Sequence, residues 1–204
     1  MFELVKAGGW LMWPIILCSI VALAIIGERL WSLQKKYVSP ATLVEQIDQW
    51  LARKELDHAR IQLLAETSPL GRILAAGLIN RERSRELVKE AVEDTGRHVA
   101  AELGRYLTTL GTIAAITPFL GLLGTVLGMI EMFSGISMQG VGDPAVVAGG
   151  IGQALITTAT GLGVAIPSVI FYRYFRGQVN ELLVDMEQQA IRLVEMLHEK
   201  TAGS

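Results

Sequence analysis

The side chains best suited to chemistry in this chain lie in GGIGQALITTATGLGVAIPSVIFYRYF, residues 149–175. Gln153, Thr157, Thr158 and Thr160 sit inside a run, 144–172, that holds no charged residue. Hydroxyls and an amide can orient water or hold a polar group, but none of them exchanges a proton near neutral pH. Thr125 adds a hydroxyl in a second apolar run, within GLLGTVLG at 121–128. That segment is no phosphate-binding loop, because no Gly-Lys-Ser/Thr follows it. Among carboxylates the candidate is Glu131. Counting about 20 residues of membrane passage from Arg105 puts it at the outer boundary, as a mouth acid and not a central one.

Helical spacing groups these residues. Gln153, Thr157, Thr160 and Val164 share one face, and Ala154, Thr158, Gly161 and Ala165 its neighbour. In the other run Gly111, Ala115, Pro118, Leu122, Thr125 and Met129 fall on one face, and Gly124 and Gly128 make a GxxxG step. Two readings fit. In one, each threonine bonds a carbonyl of its own helix and the small residues permit close packing. In the other, the faces line a shared interior that holds water or a polar partner. Pro118 and Pro167 each remove a backbone donor and free a carbonyl that needs a neighbouring helix, side chain or water. The path so described is polar-lined and has no central proton carrier of its own.

The elements that must position these groups are membrane helices. The chain has 204 residues, 51% of them hydrophobic and 19% charged, and a net charge of -2. A mean hydropathy of +0.41 belongs to the membrane class. Near-neutral charge gives no reason to expect nucleic acid. Cys18 stands alone, so no intrachain disulfide can form, and His58, His98 and His198 have no metal-ligand spacing. Neither a metal nor a cofactor is expected.

Three runs are long enough to cross a bilayer: 7–27, 106–130 and 144–172. The sequence ALA at 22–24 imitates a signal-peptide cleavage site, but the apolar run continues to Ile26 and its basic flank is weak, so a retained span is expected. Trp10, Trp13 and Trp31 suit interfacial anchors among lipids. Basic residues cluster after the first run (Arg29, Lys35, Lys36), before the second (Arg97, Arg105) and after the third (Arg173, Arg176). The N-terminal flank, 1–6, and the connection 131–143 are therefore expected outside, with the C-terminus in the cytoplasm. Residues 28–105 are expected to form a helical cytoplasmic domain and 173–204 a cytoplasmic helix.

Within 28–105, Ser68 and Pro69 fit an N-cap and first turn. The stretch SRELVKEAVEDTGRHVAAELGRYL is expected to run into the second span as one long helix. The tail carries a stripe of Val179, Leu182, Leu183, Met186, Ala190, Leu193 and Leu197. The fold class is all-α and polytopic: three transmembrane helices, with the second and third extended far into the cytoplasm. The spans hold neither a nucleophile–base pair nor a metal-ligand set, so no enzyme is expected. A self-contained transporter would need an intramembrane charge pair or an internal repeat. A structural scaffold accounts for the glycines but leaves three hydroxyls beside a glutamine without a role.

The pair ITPFLGLLGTVLGMIEMF and GGIGQALITTATGLGVAIPSVIFY resembles the MotA/TolQ/ExbB family of proton-channel stator proteins. Three spans with a cytoplasmic domain after the first look like its ExbB and TolQ branch. GWLMWPIILCSIVALAIIGERLW and the short flank before it look more like ExbB than TolQ. The resemblance implies a homo-oligomeric ring, a pentamer, in the bacterial inner membrane. It implies a single-span partner of the ExbD or TolR type in the central pore, carrying the membrane aspartate. TonB, or TolA in the Tol-Pal system, would transmit the motion across the periplasm. Thr125 and Thr158 match the family's pore-lining threonines, and Pro118 and Pro167 its membrane prolines. Where many ExbB proteins have a glutamate before Ala-Leu, this chain has Gln153. That removes titration at the position and leaves hydrogen bonding.

Overall fold

The structure, a computed structural model, describes residues 9–53, 55–139 and 144–202. The flank 1–6 and residues 140–143 of the expected outer connection lie outside these. Regular structure among the described residues is helical: α1 (Met12–Ser32), α2 (Lys35–Val38), α3 (Leu43–Ala52), α4 (His58–Thr67), α5 (Pro69–Ile79), α6 (Arg85–Leu103), α7 (Leu107–Gln139) and α8 (Pro144–Ala202). Three helices are long and apolar enough to cross a membrane. The expected spans fall on α1, α7 and the first half of α8. The protein is an all-α membrane protein. Its chain divides into two units: Met1–Glu28 with Tyr106–Tyr174, and Arg29–Arg105 with Phe175–Ser204.

In the first unit α7 and α8 meet through small residues. Lipid tails are as apolar as leucine, so helix pairing in a membrane depends on close contact and hydrogen bonds. The buried face of α7 carries Ala114, Thr117, Gly121, Gly124 and Gly128. It meets Ala154, Thr157, Gly161, Ala165 and Ser168 of α8, all buried. A Cβ on Gly121 would lie 3.0 Å from the Thr158 Cα, and one on Gly128 3.3 Å from the Ala154 Cβ. A Cβ on Gly124 would overlap the Thr157 side chain. Bulky residues such as Phe119, Val126, Leu155 and Ile166 face outward and exposed, as do Trp10 and Trp13.

The second unit is built like a water-soluble domain. The expected stripe of α8 is its spine: Val179, Leu182, Met186, Ala190, Leu193 and Leu197 are buried, with Leu183 half-buried. Leu70, Leu74 and Leu78 of α5 and Val88 of α6 are fully buried. Ser68 caps α5 as expected, its hydroxyl accepting from the Gly71 N–H at 3.0 Å, with Pro69 in the first turn. Asp57 caps α4 by accepting from the His58 N–H at 2.6 Å, a role not read from the sequence.

A polar cluster ties the segment after α1 to α8. The Ser39 hydroxyl, 1% exposed, donates to Asp185 Oδ2 at 2.5 Å. Lys35 Nζ lies 3.2 Å from Oδ1, and Gln189 Nε2 donates to both Ser39 and Asp185. The Ser39 hydroxyl holds the Asp185 carboxyl below its ordinary value of 3.8, against the effect of burial, and the Lys35 charge adds to this. A depressed folded-state pKa stabilises the fold above the unfolded pKa. That contribution is lost as pH falls through the lower folded value. Asp185→Asn is expected to destabilise the second unit by about 1–2 kcal/mol at neutral pH. It should also flatten the decline in stability below about pH 4. Hydrogen exchange across α8 at a series of pH values measures both.

The expected continuous helix from 84 into the second span is interrupted. The α6 helix ends at Leu103, and Gly104 N–H bonds the Ala100 carbonyl. Tyr106 has φ +63, a left-handed conformation that a non-glycine residue adopts at a cost. The α7 helix then opens at Leu107, and the Leu110 N–H bonds the Tyr106 carbonyl.

Candidate functional site

Most hydroxyls of the membrane unit bond the carbonyl one turn back on their own helix. Thr157 donates to the Gln153 carbonyl at 2.9 Å, Thr160 to Ile156 at 2.8 Å, Thr117 to Ile113 at 2.9 Å and Ser168 to Val164 at 2.7 Å. Thr157 is 0% exposed, with its methyl against Gly124. Within one chain it therefore belongs to the α7–α8 seam.

Thr158 departs from that pattern. Its hydroxyl crosses to α7 and donates to the Gly121 carbonyl at 2.9 Å. In a regular helix that carbonyl also accepts from the Thr125 N–H. The Thr125 hydroxyl donates to the Leu122 carbonyl at 2.6 Å, and the two threonine oxygens stand 3.4 Å apart. Each hydroxyl has one hydrogen and two lone pairs. With both hydrogens given to carbonyls, the half-exposed pair presents acceptors. Chemically, such a pair can accept from a donor group, such as water or a protonated carboxylic acid.

Gln153 and Glu131 come together elsewhere. With Gly9, Trp10, Leu11, Gly124, Leu127 and Gly128 they line a cleft of about 10 Å³. That is near the threshold for holding one water molecule. Gly9 has φ +71, which favours glycine; a Cβ there would lie 2.6 Å from Gln153 Nε2, the movable end of a flexible side chain. Glu131 is exposed at the cleft's edge. Pro118 and Pro167 lie within α7 and α8, the first half-buried and the second exposed. Each removes a helical donor, for the carbonyls of Ala114 and Gly163 respectively. Among the described residues no group of His, Cys, Asp and Glu could hold a metal ion.

The sequence did not single out Thr117 or the Gly121 carbonyl. The signal available was the run of glycines at 121, 124, 128 and 161, which marks where the backbones approach most closely. The face expected to carry Thr125 includes Ala115, Leu122 and Met129, all exposed. The packed face is the adjacent one.

A family profile, MotA/TolQ/ExbB proton channel family, matches residues 65–188. The chain belongs to the MotA/TolQ/ExbB family. The matched region takes in α5, α6, α7 and most of α8, and so both threonines of the pair and both membrane prolines. Among family relatives, the biopolymer transport protein ExbB-like 1 of Synechocystis is 37% identical over 175 residues, covering 81% of this chain and 66% of the relative. The biopolymer transport protein ExbB of Salmonella typhimurium is 38% identical over 149 residues, 63% of this chain and 61% of the relative. The exbB1 protein of Vibrio cholerae is 31% identical over 165 residues, 79% of this chain and 72% of the relative. The chain thus spans slightly under two thirds of the first two relatives.

Proposed function

We propose that this chain is the ring-forming subunit of a proton-driven motor of the bacterial inner membrane. In this reading it acts with a single-span, aspartate-bearing partner of the ExbD type and energises TonB-dependent uptake across the outer membrane. The N-terminus lies in the periplasm, the C-terminus in the cytoplasm, and the ring is a pentamer. The observation that carries the reading is the Thr125–Thr158 acceptor pair, in a chain of the proton channel family. Such a pair favours the protonated form of a carboxyl over the charged form, because a carboxylate has no hydrogen to give. A neutral acid could then move past the ring where an ion would be costly. Gln153 and Glu131 serve in this scheme at the outer mouth, as a hydrogen-bonding group and an acid.

A structural scaffold is the second reading, and the back-bonded hydroxyls of Thr117, Thr157 and Thr160 favour it. Thr158 is the exception that a scaffold does not require. Reconstitution in liposomes under a pH gradient separates the readings. The chain alone is expected to pass protons no faster than empty liposomes, and to conduct once its partner is added. Fast uptake by the chain alone, abolished by Thr125→Val, would overturn the shared-site mechanism. The small protein that co-purifies also assigns the branch, since a TolR-type partner would replace the ExbB-like role with a TolQ-like one.

A further inference from the structure

The segment from the end of α1 through α2, all within the second unit, is sealed on one side and open on the other. Leu33, Val38 and Ser39 are each 1% exposed, and Ser39 and Lys35 both hold Asp185. Leu30, Trp31, Lys36 and Tyr37 face outward, with Trp31 69% and Tyr37 48% exposed. The outward residues form a cluster. The Trp31 indole N–H and the Lys36 ammonium both donate to the Tyr37 hydroxyl oxygen. Lys36 Nζ also stands 4.6 Å from the centre of the Tyr37 ring. The Trp31 bond, and then the bond and charge of Lys36, hold the Tyr37 hydroxyl below its ordinary value of 10.0. A more acidic phenol is a better donor, and its one hydrogen remains to be given. Among the described residues no carboxylate forms an ion pair with Lys36.

Exposed apolar surface of this kind marks a contact with a membrane or another protein. Its place in the chain favours the membrane. The apolar run 7–27 ends four residues before Trp31, and α1 continues as one helix through Ser32. At the helical rise, Trp31 lies about 6 Å past the end of that run, which is the depth of a headgroup layer. Indole rings favour that layer. We propose that Trp31, Lys36 and Tyr37 form a binding site for the headgroup of an anionic phospholipid. The phosphodiester accepts from the Lys36 ammonium and the Tyr37 hydroxyl, and the upper acyl chains lie against Trp31 and Leu30. A choline headgroup suits the site less well, because it brings a second cation to the ring that Lys36 already occupies. The buried side of the segment fixes the cluster, so the lipid meets a preformed site.

The test places the full-length protein in nanodiscs of equimolar phosphatidylglycerol and phosphatidylcholine, with bromine on the acyl chains of one lipid or the other. Bromine quenches tryptophan fluorescence on contact. Reading each protein against the same protein carrying Trp31→Phe isolates Trp31 from Trp10, Trp13 and Trp50. Brominated phosphatidylglycerol is expected to quench Trp31 more strongly, through about fivefold enrichment, the factor that one lysine contributes near an anionic surface. Lys36→Gln should make the two lipids quench alike, and Lys36→Arg should keep the preference. Tyr37→Phe should weaken it. Lys89→Gln, an exposed lysine of α6, should leave it unchanged. Equal quenching by both lipids in the wild type, or a preference that survives Lys36→Gln, would overturn the proposal. So would loss of the preference in excess inorganic phosphate, which would make this an anion site and not a lipid one. Quenching by neither lipid would mean that another protein chain covers the patch, and would overturn it as well.

Discussion

Gly161→Ala is expected to force α7 and α8 apart. A Cβ at this position would lie 2.6 Å from the Thr117 carbonyl oxygen, 3.1 Å from the Gly121 Cα and 3.2 Å from the Gly121 nitrogen. All three atoms are backbone, so no rotamer change relieves the contact. Overpacking of this kind costs about 1–3 kcal/mol. It should also lengthen the bond from Thr158 to the Gly121 carbonyl, which spans the same seam at 2.9 Å. Thermal stability in mild detergent should fall, and proton-coupled activity should be lost with it. Gly163→Ala is the control, because among the described residues nothing beyond its own stretch of helix lies within 4 Å of its Cβ position. It is expected to leave the helix pair intact and to favour the helix by somewhat under 1 kcal/mol. Equal stability of Gly161→Ala and wild type would mean that the backbones do not approach this closely.

The double variant Thr125→Val, Thr158→Val should retain assembly and lose most proton-coupled activity. Valine keeps the shape of threonine and removes the hydroxyl. The structural loss is one cross-helix bond, worth about 0.6 kcal/mol on average in membrane helices. The functional loss is larger if the acceptors hold a partner's acid. A hydrogen bond of about 1–1.5 kcal/mol per site corresponds to roughly tenfold in rate for each. Serine at both positions should preserve function. Hydrogen bonding to the neutral form raises the pKa of an acid, so valine should move the activity profile toward lower pH. Full activity of the double valine variant, at normal protein level, would leave packing as the only role of the pair.

The parts of this architecture that periodicity encodes were legible in the sequence. Uncharged runs marked the three membrane helices, and apolar spacing marked the α8 stripe from Val179 to Leu197. Ser68 followed by Pro69 announced the start of α5 through local chemistry alone. What escaped depends on the register between helices. Thr157 and Thr158 are adjacent and chemically identical, yet one is sealed against Gly124 and the other reaches the Gly121 carbonyl. A one-residue shift of α7 against α8 would change those roles with no change in either helix's own pattern. The same holds for α7, where small residues occur on more than one face. The break at Tyr106 carries no propensity signal, because tyrosine is not a left-handed residue by preference. Nor does local sequence announce the bond from Arg29 to the Leu103 carbonyl at the end of α6, which joins positions 74 apart in the chain.

The contrast between the two kinds of core also has a calorimetric consequence. Leu70, Leu74, Leu78 and Leu193 of the second unit are fully buried, and unfolding would bring them into contact with water. That exposure raises the heat capacity, so stability there is curved in temperature and weakens on cooling below its maximum. Separation of α7 from α8 exposes Gly121, Gly124 and Gly161 to lipid tails, with no apolar surface transferred to water. It should carry almost no heat-capacity change. In a scanning experiment the soluble-type unit alone should then account for the step in baseline, and only that unit should loosen in the cold.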